Sequence, residues 1–292
     1  MNLATKSNEA PAGITAAGAP LRIGSVALTV RDLDAMTRFY RNTIGLAVIA
    51  AERSATRLGI GEEVLIELLH DPAARLADRR QAGLFHVAFL LPERAALAHW
   101  LRHAVEDGVR LQGASDHLVS EALYLSDPEG NGIEIYRDRP SEAWVRNGGT
   151  VTMTTDRLDL DALASEAPER PWTGLPSDTL VGHVHLQVGE QAAADTFYAG
   201  LLGLDIVHRM AGASFYSSGG YHHHVAANTW NSAGSGPRPE GTTGLSSFEI
   251  VAADPTVRAA FLERTGAHAA TVTAGASTLI DPWGTRLHLR AA

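Results

Sequence analysis

The chain has 292 residues, a length suited to two domains that each bury a core. Its 24 Lys and Arg stand against 33 Asp and Glu, a net charge of −9 with no basic run, which argues against a nucleic-acid binder. The absence of cysteine excludes disulfides, thiolate metal sites and a cysteine nucleophile, and no apolar run reaches the ~18 residues of a membrane helix.

In chain order, residues 1–20 (MNLATKSNEAPAGITAAGAP) hold no continuous apolar stretch and read as a disordered tail on a cytoplasmic protein. LRIGSVALTV alternates as a strand. Asp32 then caps a helix carrying Leu33, Met36, Phe39 and Tyr40, which Gly45 stops. LAVIAA, ATRLGI and EEVLIELLH follow as three strands. The plan then recurs: GLFHVAFLLP as a strand, RAALAHWLRHAVEDG as a helix, SEALYLSD and GNGIEIYR as a hairpin. Residues 141–178, with EAPERPWTGLP, read as a linker. Beyond it the first half returns: Phe39–Tyr40 and Gly45–Leu46 recur as Phe197–Tyr198 and Gly203–Leu204, and SDPEGNG recurs as IDPWGTR. The expected fold is α+β: four βαβββ modules, paired into half-barrel domains over 21–140 and 179–292.

Side chains alternate along a strand, so Leu84, His86 and Ala88 share one face of GLFHVAFLL. Glu134 and Tyr136 share a face of GNGIEIYR, with Ile133 and Ile135 on the other. Glu67 sits among the apolar residues of EEVLIELLH. Carboxylates in such strands need partners, since an unpaired buried charge costs several kcal/mol. Arginines would serve. So would a divalent cation held by His86, Glu134 and Glu67, and that donor set suits Fe(II), Mn(II) or another first-row metal.

The βαβββ plan, with the long stretches GASDHLVSEALYLSDPEGNGIEIYRDRP (113–140) and GGYHHHVAANTW (219–230), resembles the vicinal oxygen chelate superfamily of glyoxalases, bleomycin-resistance proteins and extradiol dioxygenases. The likeness is to its two-domain, catechol-2,3-dioxygenase-like members. It implies ligands on the first and last strands of the modules. Those positions hold Ser25, Glu67, His86 and Glu134 in one half and His183, Ala226, Ser247 and His288 in the other. A second site of His183, His224 and His288 is conceivable. The resemblance also implies acid–base roles for Tyr124, ten residues before Glu134, for His117 in the hairpin loop, and for His70. The expected function is a metal-dependent, extradiol-type ring-cleaving dioxygenase acting on a small catechol-like aromatic and O2, possible as a homo-oligomer, with the N-terminal half as the active one. The alternatives are another enzyme of the fold, such as a glyoxalase-like isomerase or ring-opening enzyme, and a metal-free small-molecule binding or resistance protein.

Overall fold

The computed structural model describes residues 13–268, 271–273 and 276–292. Module one runs through β1 (Leu21–Val30), α1 (Leu33–Phe39), β2 (Ala47–Ala51), β3 (Ala55–Ile60) and β4 (Glu63–His70). The Asp32 carboxylate accepts the Ala35 N–H at 2.8 Å and starts the helix; Gly45, at φ 97°, ends its last wide turn. Module two holds β5 (Gly83–Leu91), α2 (Arg94–Glu106), β6 (Gly113–Asp116), β7 (Ser120–Ser126) and β8 (Gly132–Asp138). Module three holds β9 (Leu180–Gln187), α3 (Gln191–Ala194), β10 (Asp205–Met210), β11 (Ala213–Ser217) and β12 (Val225–Asn228). Module four holds β13 (Gly244–Ala252), α4 (Pro255–Thr265), β14 (Thr271–Thr273), β15 (Ala276–Ile280) and β16 (Arg286–Ala291). No helix among the described residues is long and apolar enough to cross a membrane.

The modules do not pair as the sequence halves suggest. One sheet runs β14-β15-β16-β13-β1-β4-β3-β2 and joins module four to module one. The other runs β6-β7-β8-β5-β9-β12-β11-β10, joining module two to module three, with Asp156–Arg157 added beside β6. Within each module the first and last strands are parallel neighbours; between modules the first strands meet antiparallel, β1 on β13 and β5 on β9. Alternation along a strand says which face is apolar but not which module lies beside it, so sequential and crossed pairing read alike.

The apolar faces of both sheets contribute to one core, with Val26 and Leu28 of β1, Val87 and Phe89 of β5, Val184 and Leu186 of β9, and Phe248 and Ile250 of β13. The period of two therefore turns His86, His183 and His185 to the opposite face of their sheet. The two most legible repeats tie the sheets together. The Asp127 carboxylate accepts the N–H groups of Glu129 and Asn131 and the Tyr40 hydroxyl. Asp281 does the same with Trp283, Thr285 and Tyr198.

Two expected boundaries change. Of the tail, residues 1–12 lie outside the described residues, but Ala16 and Ala19 are buried and the Gly13 N–H donates to Glu142. The 141–178 segment buries Trp144, Val151, Leu158 and Leu163, and so is packed chain rather than a free connector.

Candidate metal centre

β5 and β9 run antiparallel at the middle of the second sheet, with His185 opposite His86 and His183 opposite Ala88. β8 lies on the far side of β5 and puts Glu134 beside Ala88. His86, His183 and Glu134 therefore surround the small Ala88 side chain, and all three are buried. His86 Nε2 lies 2.9 Å from Glu134 Oε2, His183 Nε2 lies 3.2 Å from the same oxygen, and the two Nε2 atoms are 3.3 Å apart. Adjacent ligands at ~2.1 Å from one octahedral ion are separated by about 3 Å, so this near-equilateral triangle has the dimensions of one ligand face. Two imidazoles and a carboxylate on one face are the donor set of non-haem iron oxygenases.

The protonation states suit ligation. Burial would raise the Glu134 carboxyl, but His183 and His86 reverse that and hold it well below the usual range. Burial pushes His183 down to about 4, leaving a neutral imidazole. Among the described residues no arginine or lysine pairs with Glu134, so a divalent cation is the partner this buried carboxylate fits.

Of the expected ligands, the structure brings His86 and Glu134 together and leaves Glu67 out. Glu67 lies on β4 in the other sheet, where Arg57 Nε donates to its Oε1 at 2.8 Å. The third corner is His183, expected only in a separate site. That second site is not assembled: His288 is on β16 in the other sheet, hydrogen-bonded to Thr278 Oγ1 at 2.9 Å. His224 accepts the Ser218 N–H. His70 is exposed at the end of β4, away from the triad's sheet.

Tyr124 and His117 do meet at the site. His117 Nδ1–H donates to the Thr154 carbonyl at 2.5 Å, so its bare Nε2 accepts the Tyr124 hydroxyl at 2.7 Å. Burial and the nearby Glu134 charge push the Tyr124 phenol well up, which keeps it protonated. Two histidines escaped the sequence reading. His185 packs against His86 with ring centroids 4.8 Å apart and accepts from the Asn228 amide. His223 packs against His183 at 4.1 Å, and burial, then His183, lowers its pKa well below the free value. Period-two alternation on β9 would have found His185; His223 lies just before β12, where no strand period applies.

These side chains line a cavity of about 740 Å³ that also takes in Phe85, Phe215, Met153 and Thr154. Met210, Trp230 and Leu76 are large exposed apolar side chains that line it too.

Two sheets, each of two crossed-paired modules and one carrying a buried two-His, one-carboxylate face, define a metal-binding βαβββ protein. The model of the Glyoxalase/Bleomycin resistance protein/Dioxygenase superfamily matches residues 22–135. The chain is 44% identical over 234 residues to the catechol-2,3-dioxygenase of Bacillus subtilis (strain 168), covering 78% of this chain and 82% of that protein. It is 29% identical over 120 residues to biphenyl-2,3-diol 1,2-dioxygenase 3 of Rhodococcus globerulus, 40% of this chain and 63% of that one. The glyoxalase I structure from Zea mays shares the fold, with a TM-score of 0.56 at 14% identity and 92% coverage of each chain. The chain belongs to the glyoxalase/bleomycin resistance protein/dioxygenase superfamily.

Proposed function

We infer that the chain is a metal-dependent, extradiol-type dioxygenase that opens the ring of a small catechol-like aromatic, inserting both atoms of O2 at the carbon–carbon bond beside the diol. The observation that carries this reading is the buried His86–His183–Glu134 face at the wall of an apolar cavity, in a chain 44% identical to a catechol-2,3-dioxygenase. Fe(II) or Mn(II) held by these three residues would supply open coordination positions and a route for electrons between an electron-rich diol and O2.

The chain's own groups divide the remaining work. His223 is neutral and lines the cavity beside His183, placed to take a proton from a diol hydroxyl. Tyr124 is a protonated phenol whose single O–H, donated to His117 at rest, would turn from it toward oxygen atoms that become negative during ring opening. Phe85, Phe215 and Trp230 give the ring an apolar wall and keep water from the reacting atoms. The cavity volume exceeds what a single six-membered ring fills, which supports substrates bearing an apolar extension.

The test is anaerobic loading with Fe(II) or Mn(II), followed by O2 uptake and appearance of ring-opened product from a panel of catechols. Full loading with no uptake from any diol would overturn this reading in favour of an isomerase or a binding protein on the same fold.

A further inference from the structure

Behind His223 runs a buried chain of groups that the reaction as drawn does not use. His223 Nδ1 lies 2.8 Å from His222 Nδ1, and His222 Nε2 lies 2.7 Å from Asp138 Oδ1. The other Asp138 oxygen accepts the Tyr221 hydroxyl at 2.8 Å, and Tyr221 in turn lies 2.9 Å from the Tyr136 hydroxyl. His222 is sealed under Trp144 and Tyr221, with its side chain 1% exposed, whereas Asp138 is 18% exposed.

We propose that Asp138 and His222 are positioning residues that lock His223 in the tautomer whose bare Nε2 faces the cavity. With each imidazole taken as carrying one proton, donors and acceptors fix the tautomers. A carboxylate accepts, so the proton between Asp138 and His222 sits on His222 Nε2. With one proton per ring, His222 Nδ1 is then a bare lone pair. The short contact between the two Nδ1 atoms needs one proton, and only His223 can supply it. His223 therefore carries its proton on Nδ1. Its Nε2, which has no hydrogen-bond partner among the described residues, is left as an acceptor on the side of the ring away from His222. That is the form able to receive a diol proton; the opposite tautomer would meet the hydroxyl with a second N–H. The tautomer assignment stands on the network alone, and its catalytic value rests on the dioxygenase reading above.

The experiment is two-bond ¹H–¹⁵N correlation on the full chain with labelled histidine, loaded with Zn(II) as a diamagnetic stand-in. The expected result is a protonated Nδ1 and an unprotonated Nε2 for His223. In Asp138→Asn the amide can donate to His222 Nε2, so protonation should reverse along the chain and place the His223 proton on Nε2. With Fe(II) in place, the same variant should lose about 10–100-fold in kcat while KM and metal content stay within about threefold. His222→Gln, whose amide oxygen still accepts from His223 Nδ1–H, should keep the wild-type signature, and His222→Leu should lose it. This pair tests the relay even if Asp138→Asn fails to fold. A wild-type His223 protonated on Nε2, or a signature indifferent to both Asp138→Asn and His222→Leu, would overturn the proposal. Should the signature behave as expected while no diol is cleaved, the relay stands and the dioxygenase reading falls.

Discussion

The two sheets are built to the same order and differ in what they do with buried charge. In the β5/β9 sheet, Glu134 is faced by the His86 and His183 imidazoles and, among the described residues, by no arginine or lysine. In the β1/β13 sheet, the corresponding positions hold Ser25, Glu67, Ser247 and His288. There Arg57 neutralises Glu67, Arg290 pairs with Glu249, and Thr278 bonds His288. One copy leaves its carboxylate in want of a cation from solution; the other supplies cations from its own chain. The same scaffold thus becomes a metal site or a structural counterpart through a few substitutions, with an arginine guanidinium doing in one what an ion would do in the other.

The comparison is sharpest at the ligands. His86→Ala, His183→Ala and Glu134→Ala should each remove most of the bound metal and lower turnover by about 10³-fold or more, since the remaining buried groups lose their shared partner. Metal analysis after mild chelation checks this, and retention of metal by His183→Ala would mean that the crossed pairing does not build the site. The next effect lies one layer out. Tyr124→Phe should lower kcat by about 10–100-fold with metal content unchanged, because a donor to developing charge is lost but no ligand is.

A smaller effect is expected at the mouth. Trp230→Ala should raise KM for catechols carrying an aryl or long alkyl group by about tenfold and leave KM for catechol itself within about twofold. Equal losses for both would show that Trp230 does not meet the extension. The structural ties should appear in pH dependence. Burial pushes the Asp127 carboxyl up to about 6. The folded protein therefore holds more protons than the unfolded chain between about pH 4 and 6, and stability falls as pH rises through that window, by up to about 1.4 kcal/mol per pH unit. Asp127→Asn should flatten that slope in denaturant unfolding at pH 4, 5 and 6. Last comes the expected silence of the other sheet: Glu67→Gln and His288→Ala should leave metal content unchanged and shift stability by less than about 1 kcal/mol.

What could be read from the sequence follows from what each pattern encodes. Asp32, the alternation of β5 and β8, and the βαβββ plan are local, so the modules were legible, as were the shared faces of His86 with Ala88 and Glu134 with Tyr136. Tyr124 and His117 could be named through the family resemblance, which implies an acid–base Tyr ten residues before the ligand Glu and a His in the hairpin loop. The third ligand was not, because His183 comes from beyond the 141–178 segment and reaches Glu134 only if β5 pairs with β9. Assigning Glu67 instead followed from placing both modules of the first half in one barrel. The strongest repeats encode structure: the Phe–Tyr and Asp–Pro motifs recur because Tyr40–Asp127 and Tyr198–Asp281 make the same buried tie.

The crossed pairing also sets an order of assembly. Modules two and three are neighbours along the chain, so their sheet can close once the first 230 or so residues have been synthesised. β1, made first, has no antiparallel partner until Gly244–Ala252 emerges. The pairings nest like brackets, the inner one bearing the metal ligands and the outer one closing around it, and closure of the outer pair demands contacts between the two ends of the chain. Until then β1 waits with an open edge, so the segment most exposed to mispairing during synthesis belongs to the sheet without the His86–His183–Glu134 cluster.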